Sequence, residues 1–425
     1  MISVAPRWIV RAAAAAWLAG AGPAFAQESG SGLDLISGDT LTVTADFRLA
    51  AANGERSWTD GGFGKTRFGD ETRATLAEGA IAWQPKLSFS LGATVVGLVQ
   101  DKGGKLEAGL SEAYLHWKPL NGGAVRFGAR AGLMWPPVSL EHDGAEWAVT
   151  DAITPSAINS WIGEEVKVVG AEGSVSATLG GHKLNATAAL FDVDDTAGAL
   201  VALRGWALHD VKGLAGRKMP LPPLGEGLEY LQPRYSHSLK EMDGGLFKRP
   251  GGYAKLSWQG PWPVRVELFH YDNNGNPEAV NAYLEWGWRT RFDHVGLVAE
   301  PRGGLRLVAQ ALSGRTRMGF LEGGRRWVDT RFRSAFASAS QQVGKGSLMV
   351  RVERFETRNR GAFVTAEDNE RGWAATAAGK RTLGEHATVL IELLHVSSRR
   401  EARERVGIEA RQVQTVVQAA LRLRW

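Results

Sequence analysis

The sequence predicts an all-β fold: a transmembrane antiparallel β-barrel of about sixteen strands, with short turns at one end and long loops at the other. Three observations lead to this prediction. The last segment, residues 411–425, alternates apolar and polar side chains and stops on Trp425. Similar alternating segments recur from residue 38 onward. No run of about eighteen apolar residues, long enough for a membrane-spanning helix, follows residue 26.

The two faces of the closing segment differ in polarity. Val413, Val417 and Leu421 lie on one face, whereas Gln414 and Gln418 lie on the other. The first face suits lipid and the second suits water. From this segment alone, an ordinary amphipathic edge strand of a soluble protein remains an open alternative.

A signal peptide is expected at residues 1–26. Arg7 and Arg11 flank the start of an apolar run, and residues 24–26, Ala-Phe-Ala, form a small-x-small cleavage site. The mature protein, residues 27–425, is then expected to be exported and to form one barrel.

Composition agrees with an exported barrel. The 425-residue chain has no cysteine, 53 glycines and 16 tryptophans, and its mean hydropathy is only −0.19. In a transmembrane barrel only every second residue of a strand faces lipid, so low mean hydropathy is compatible with membrane insertion. The formal charge of +5 falls to about +3 without the two signal-peptide arginines. Such a mild excess gives no argument for nucleic acid as a partner.

The alternation predicts sixteen strands. One assumption decides on which side of the membrane the later turns lie. Residues 194–250 are read as one long external loop, which places all later short turns on the periplasmic side. Ala199 to Leu208 within it fits either a strand or a helix. The predicted strands are 39–50, 73–84, 86–99, 107–118, 123–134, 164–179, 182–193, 251–259, 263–272, 287–300, 304–317, 328–343, 346–358, 371–383, 386–398 and 410–425.

These features together resemble Gram-negative outer-membrane porins. The signal peptide, the turn rhythm and the closing strand with its terminal aromatic carry the resemblance, and residues 153–157 and 161–165 resemble a stretch of the sixteen-stranded, solute-specific and phosphate-selective type. The resemblance implies passive diffusion of small hydrophilic solutes, with anions as one candidate class, and no cofactor. It also implies that Trp425 is the signal read by the barrel-assembly machinery. Outer-membrane lipid and lipopolysaccharide are the implied surroundings, and a homotrimer is one candidate assembly.

Residues 135–163 are the candidate constriction loop. In porins of this kind the third external loop folds into the lumen, and this segment is the third external loop here. No Lys or Arg occurs between residues 131 and 166. An acidic strip facing a basic wall would set up a transverse field across a narrow pore. A solvated surface loop is the alternative. The candidate constriction residues are Glu141, Asp143, Glu146 and Asp151.

The alternation predicts that Lys and Arg side chains on the strands point into the lumen and form a basic wall, because a charge that faces lipid is costly. Inward acids such as Glu353 and Glu392 are also predicted, so that some of these cations are expected to pair across strands. The candidate pore-wall residues are Arg48, Arg126, Arg130, Lys255, Arg265, Arg306 and Arg351.

Other functions find less support. The nine histidines show no metal-ligand spacing, and residues 141–143, Glu-His-Asp, point in different directions in extended chain. A barrel enzyme and a plugged structural or adhesive barrel stay as alternatives to a porin. The arginine-rich run 399–411 is interpreted as a solvated external loop that could bind lipopolysaccharide phosphates.

Tryptophans predict the two membrane interfaces, since indole rings favour that boundary. The periplasmic rim is predicted to hold Trp83, Trp117, Trp258 and Trp425, and the opposite rim Trp288, Trp327 and Trp373.

Overall fold

The computed structural model is a closed antiparallel barrel of sixteen strands, which confirms the predicted fold class. It describes residues 33–119, 123–192, 194–195, 197–240, 248–363 and 369–425, so the expected signal peptide lies outside the described residues. The barrel strands are β1 Leu41–Asn53, β2 Glu71–Trp83, β3 Leu91–Lys102, β4 Lys105–Trp117, β5 Val125–Met134, β6 Val168–Leu179, β7 His182–Asp192, β8 Gly251–Gln259, β9 Val264–Asp272, β10 Arg289–Ala299, β11 Leu305–Glu322, β12 Arg325–Val343, β13 Gly346–Asn359, β14 Glu370–Thr382, β15 Ala387–Arg400 and β16 Arg411–Arg424.

Closure joins the first strand to the last. Thr44 pairs with Arg424 and Asn53 pairs with Thr415 in antiparallel register. Directly after β16, the N–H of Trp425 donates to the carbonyl of Val43 at 2.9 Å, and the reverse bond has the same length. A closed ladder has no sheet edge, which is the arrangement that lets strands cross a bilayer.

Alternation along each strand separates an apolar outer wall from a polar lumen. On β13, Val350 and Val352 point outward and are 60% and 63% exposed, whereas Arg351 and Glu353 point inward and are 1% and 6% exposed. A one-residue change of register would put both charges outside. The hydrophobic pattern therefore fixes this register.

The barrel has a turn end and a loop end. Connections at the turn end, such as the one after β6 at Gly180–Gly181, are short, and these two glycines have positive φ angles of 54° and 85°. The loop end carries the two long connections that follow β5 and β7. Trp83, Trp117 and Trp258 lie on the outer wall at the turn end, as predicted for one interface.

Trp288 departs from the predicted interface at the loop end. Its side chain is 0% exposed and packs inside the barrel with Leu200 and Met318 of one hydrophobic cluster. Trp327 is only partly exposed and contacts Trp286. Apolar segments that enter the barrel here offer these rings a better-packed environment than the outer wall.

Two short helices lie inside the barrel: α1 Ala157–Ile162 and α2 Ala197–Leu203. Ser156 begins α1, where its hydroxyl accepts a hydrogen bond from the N–H of Asn159. Every residue of both helices is buried. No helix among the described residues is long and apolar enough to cross a membrane.

Candidate functional site

Residues 135–163 enter the barrel and cross to the opposite wall. Lys255 on β8 donates to the carbonyl of Pro137 at 2.7 Å. Arg422 on β16 donates to the carbonyl of Val149, also at 2.7 Å. The segment begins after β5, so these contacts span the lumen. We call residues 135–163 the interior loop.

Inward cations hold the middle of the interior loop. Asp151 pairs with Arg306 at 3.1 Å and with Lys380 at 3.6 Å. The same two side chains also donate to loop carbonyls, Arg306 to Leu140 at 3.1 Å and Lys380 to Thr150 at 2.8 Å. Both cations thus bind charge and backbone together.

Glu141 anchors the loop most tightly. Its carboxylate pairs with Arg351 at 2.7 Å and accepts hydrogen bonds from the N–H and hydroxyl of Ser156 at 2.9 and 2.6 Å. The amide of Asn159 donates to it at 2.5 Å. Burial by itself raises the pKa of Glu141, but Arg351 and these donors outweigh burial and hold the pKa below its ordinary value. Glu141 is therefore held as a carboxylate inside the barrel.

Inward carboxylates bind the backbone of the loop as well. Glu392 on β15 accepts from the N–H groups of Ile153 and Thr154 at 2.7 and 2.9 Å. Glu353 on β13 accepts from the N–H of Ala157, the first residue of α1, at 2.6 Å. Buried N–H groups need such partners, so the acidic wall residues stabilise the loop in the lumen.

A second interior segment, residues 197–214, lies against the first. The indole N–H of Trp161 in α1 donates to the carbonyl of Ala197 at 2.9 Å. The Trp161 ring lies 4.9 Å from the ring of Phe332 and 5.1 Å from that of Phe292, both inward residues of the wall. This aromatic packing fills the middle of the lumen.

An ion-pair network joins residues 197–214 to Glu165, which lies just after the interior loop. Glu165 pairs with Arg204 at 2.6 Å and with His209 at 2.9 Å. Arg204 also lies 4.6 Å from the ring centre of Trp58. Burial raises the pKa of Glu165, but Arg204 and His209 outweigh it, and the pKa lies below its ordinary value.

A third interior segment, residues 55–68, closes the loop end. Glu55 pairs with Arg403 at 2.7 Å, and Lys65 pairs with Glu370 at 2.5 Å beside Arg400. Burial, the largest influence, lowers the pKa of Lys65 to about 7 although Glu370 opposes the shift. Arg400 and Arg403 are 0% exposed, so the interpretation of run 399–411 as a wholly solvated loop is wrong. Carboxylates from distant segments draw these two arginines inside.

A water-accessible vestibule remains at the turn end. It has a volume of about 340 Å³ and opens beside the turn between β14 and β15. Asp143 and Glu146 of the interior loop lie on its wall. Its ionisable lining comprises Asp46, Glu78, Asp143, Glu146, Glu164, Asp210 and Glu385, with Lys212, Lys380, Arg422, Arg424 and His386.

The inner tip of the vestibule is a cluster of paired charges. Asp210 pairs with Arg48 at 3.0 Å and Arg67 at 2.9 Å, and Lys212 pairs with Glu78 at 2.6 Å. Burial raises the pKa of Asp210, but the two arginines outweigh it and the pKa lies far below its ordinary value. The tip is thus polar, whereas the segment beyond it packs aromatic side chains.

The structure separates the four candidate constriction residues. Glu141 is buried among loop contacts, and Asp151 binds wall cations. Asp143 is exposed in the vestibule, and Glu146 pairs with Arg424 at 3.2 Å. Of the four, Asp143 and Glu146 line the vestibule.

The candidate pore-wall cations likewise have different surroundings. Arg130 pairs with Glu172 at 2.8 Å and also donates to the carbonyl of Trp135. Arg265 pairs with Glu267 at 3.1 Å. Arg126 is exposed on the lumen side at the turn end. Arg48, Lys255, Arg306 and Arg351 bind interior segments, as described above.

Sequence reasoning missed residues 197–214, because it treated 194–250 as an external loop. The part 197–214 lies inside the barrel instead, and α2 contacts β10, β11, β12 and β13. The available signal was the apolar run from Ala199 to Leu208, which is too apolar to stay in water. Asp210 and Lys212 follow this run and reach the vestibule tip with it.

The ring of His142 is held by neighbouring side chains. It hydrogen-bonds Ser139 and Glu164 at 2.7 and 2.8 Å and stacks on Trp147. Within the described ranges, no group of three or more His, Asp or Glu side chains is arranged to hold a metal ion.

Several solved outer-membrane proteins are similar to this chain. The outer membrane channel DcaP of Acinetobacter baumannii aligns with a TM-score of 0.53 at 10% identity, over 93% of this chain and 99% of that one. An anion-selective porin from Comamonas acidovorans aligns with a TM-score of 0.49 at 11% identity, over 91% and 99% of the two chains. The outer membrane protein OpdK of Pseudomonas aeruginosa aligns at 0.40 and 12%, over 91% and 100%.

These similarities concern the fold. DcaP, an outer membrane channel, shares the barrel at low sequence identity, which supports the predicted barrel fold. No protein-family model matches the sequence, and no curated protein matches it either.

Proposed function

We propose that the protein is an outer-membrane channel for small hydrophilic solutes and that the described conformation is closed. The observation that carries this proposal is the vestibule, which enters the barrel at the turn end and stops at the charged tip around Asp210 and Lys212. A merely structural barrel has no need of a water-accessible recess that leads inward to ionised groups. The turn end then faces the periplasm and the loop end faces outward.

In this account the interior loop and residues 197–214 form the gate. Their charged anchors, such as Arg306 and Lys380 on Asp151, become hydrated on release and so oppose the movement less than an apolar anchor of the same size would. Asp143 and Glu146 act on solutes in the vestibule, while Glu141 and Asp151 hold the gate. The protein is proposed as a transporter and not an enzyme, since the described vestibule residues pair as ions and not as a nucleophile with its base.

The lining favours cations over anions. It carries seven carboxylates against four Lys or Arg side chains, and when Arg48 and Arg67, which pair with Asp210 at the tip, are counted as well, an excess of one carboxylate is left. An excess of one sign in a narrow recess concentrates ions of the other sign. The anionic solutes implied by the porin resemblance would require the opposite excess.

A plugged structural barrel is the second candidate, favoured by the packing around Trp161. Single-channel recording in planar bilayers separates the two functions. A channel gives discrete current steps whose frequency rises when the gate anchors Arg306 and Lys380 are both changed to Gln. Folded barrels that stay silent in wild type and in this variant would establish the plugged barrel instead. Export by a cleaved signal peptide is tested separately, by the N-terminal sequence of the protein from outer membranes.

A further inference from the structure

His209 lies in residues 197–214 of the gate, directly before the vestibule tip. Its side chain is 0% exposed, and both nitrogens of its ring have partners. Nε2 lies 2.9 Å from the carboxylate of Glu165, and the backbone N–H of Val211 donates to Nδ1 at 3.2 Å. The N–H of His209 itself donates to the hydroxyl of Ser160 in α1 at 2.9 Å. This histidine therefore joins residues 197–214 to Glu165 and to α1.

The two ring contacts define the protonation state of His209. The backbone N–H of Val211 can only donate, so Nδ1 accepts and carries no proton. The one ring proton is then on Nε2, where it faces the carboxylate of Glu165. This hydrogen-bonding pattern makes His209 neutral in the closed conformation. A second proton can enter only at Nδ1, where it would point at the N–H of Val211, so protonation and this contact exclude each other.

The carboxylate beside His209 is already paired with another cation. Arg204 donates to both oxygens of Glu165, at 2.6 and 3.1 Å. The guanidinium of Arg204 lies 4.6 Å from the ring centre of Trp58, and the ring centre of His209 lies 4.4 Å from the same point. A protonated His209 would thus share one carboxylate with Arg204 in a buried space. Such an excess of buried charge is unfavourable unless the group moves into water.

Other charged groups nearby have partners of their own. Asp210 is held by Arg48 and Arg67 at 3.0 and 2.9 Å. Lys65 of the third interior segment pairs with Glu370 at 2.5 Å. Among the described residues, no carboxylate besides that of Glu165 contacts the histidine ring, so a second proton on the ring finds no new partner.

His142 of the interior loop differs from His209 in this respect. Its Nε2 contacts Glu164 at 2.8 Å, but its Nδ1 faces the hydroxyl of Ser139 at 2.7 Å. A hydroxyl rotates and can accept as well as donate, so a protonated His142 keeps both contacts. Of these two histidines, only His209 loses a contact when it is protonated.

We propose that His209 is a pH sensor whose protonation releases residues 197–214 from the lumen. The neutral ring fits the closed conformation, whereas the charged ring favours water. The released conformation therefore holds one proton more than the closed one, and its population rises as the pH falls through the range in which histidine side chains titrate, about 5 to 8. Asp210 and Lys212 follow in the chain, so the vestibule tip moves with the sensor.

The role of His209 rests on the proposed gate, and its test follows the segment itself by hydrogen exchange and mass spectrometry. The folded full-length barrel in detergent is labelled at about pH 5.5 and about pH 7.5, within the range of histidine titration. Amide protection in residues 197–214 is corrected for the intrinsic effect of pH on exchange. Amides that open locally lose protection as the open form becomes more populated. For wild type we expect protection at least tenfold lower at the acidic pH.

The variant H209N cannot titrate, yet its side-chain oxygen can accept from the N–H of Val211 as Nδ1 does. We expect its protection to differ less than twofold between the two pH values. The matched control is H270N, which changes a histidine on the outer wall whose side chain is 57% exposed. This control and H142N should both keep the wild-type response. If H209N leaves the segment unprotected at both pH values, H209Q, whose amide can donate to Glu165, serves instead.

Three results would overturn the proposal. One is an equal loss of protection at acidic pH in wild type and in the folded His209 variants. Another is a wild type that shows no such loss. The third is a response that disappears in H142N and persists in H209N, which would place the sensor in the interior loop. A barrel that stays silent in bilayers but shows the His209-dependent loss would remove the channel and leave the sensor, so the two failures are distinguishable.

Discussion

Arg351 on β13 and Glu141 in the interior loop form a 2.7 Å ion pair in which the arginine side chain is 0% exposed. The two residues are far apart in sequence, and their contact joins the wall to the loop that fills the lumen. Arg351 also donates to Glu353 and to the carbonyl of Thr154. One wall cation thus binds the interior loop at two separate points, Glu141 and Thr154.

Replacing Arg351 by Gln is expected to release the interior loop. The change leaves Glu141 buried without its cation, and removal of one partner of a buried pair costs about 3–5 kcal/mol. The barrel ladder stays intact, so we expect local release: protease cleavage within 135–163 at least tenfold faster than in wild type, with heat-modifiable migration retained. R333Q, which breaks an exposed pair on the outer wall, is the control. Equal cleavage in both variants would show that Arg351 is not an anchor.

The vestibule carboxylates are expected to set ion preference. Changing Asp143 to Asn and Glu146 to Gln removes two negative charges from the lining, so the reversal potential under a salt gradient should shift toward lower cation permeability. The shift should shrink in high salt because screening increases. The control E226Q/E229Q changes two exposed acids at the loop end. A reversal potential that moves equally in both variants would remove the vestibule from the permeation path.

Lys65 is expected to make stability depend on pH. Burial lowers its pKa to about 7 from an ordinary 10.5, so between these values the unfolded chain holds a proton that the folded chain lacks. The free energy of unfolding therefore rises with pH across this window, by at most about 1.4 kcal/mol per pH unit from this group. Below pH 7 the penalty for charging buried Lys65 is fully present.

The variant K65M should remove this slope. Denaturant unfolding in detergent between about pH 7.5 and 9.5 is expected to show a steeper rise for wild type than for K65M. The exposed Lys86 supplies the control, K86M, which should follow wild type. If the free energy of unfolding of wild type and K65M changes in parallel with pH, the lowered pKa of Lys65 is contradicted.

Trp425 is expected to be needed for assembly in the membrane. The residue is 56% exposed, and its backbone pairs with Val43 across the closure of the barrel. W425D should leave little folded barrel in outer membranes, whereas W262A, which changes another exposed aromatic at the turn end, should not. Comparable amounts of folded protein on unheated gels for the two variants would count against Trp425 as an assembly signal.

The sequence predicted the barrel well because its strands follow a local rule. On β13, alternating Val350, Arg351, Val352 and Glu353 can satisfy lipid and lumen in one register only. The strand ends differ from the predicted ones by a few residues at most positions, as at β3, where residues 86–90 form the turn instead. Reading residues 194–250 as one connection gave the correct parity.

The lumen could not be predicted in the same way. A polar residue at an inward position of a strand avoids lipid, but the sequence pattern does not show whether its side chain contacts water or a buried carboxylate. Arg351 and Arg306 were assigned to a pore wall on that basis, and they bind Glu141 and Asp151. Their partners come from loops more than a hundred residues away, and no local pattern encodes that pairing.

The most direct test of a gated channel is conductance after removal of the interior loop, which forms the gate together with residues 197–214. A variant in which a short Gly–Ser linker between β5 and β6 replaces residues 138–165 loses the anchors on Arg351 and Glu392 and leaves residues 197–214 without their contacts to Trp161 and Glu165. In planar bilayers, the account predicts rare, small current steps for wild type and frequent, much larger steps for this variant, with both proteins heat-modifiable. A folded variant that conducts no more than wild type would contradict the assignment of the interior loop as the gate.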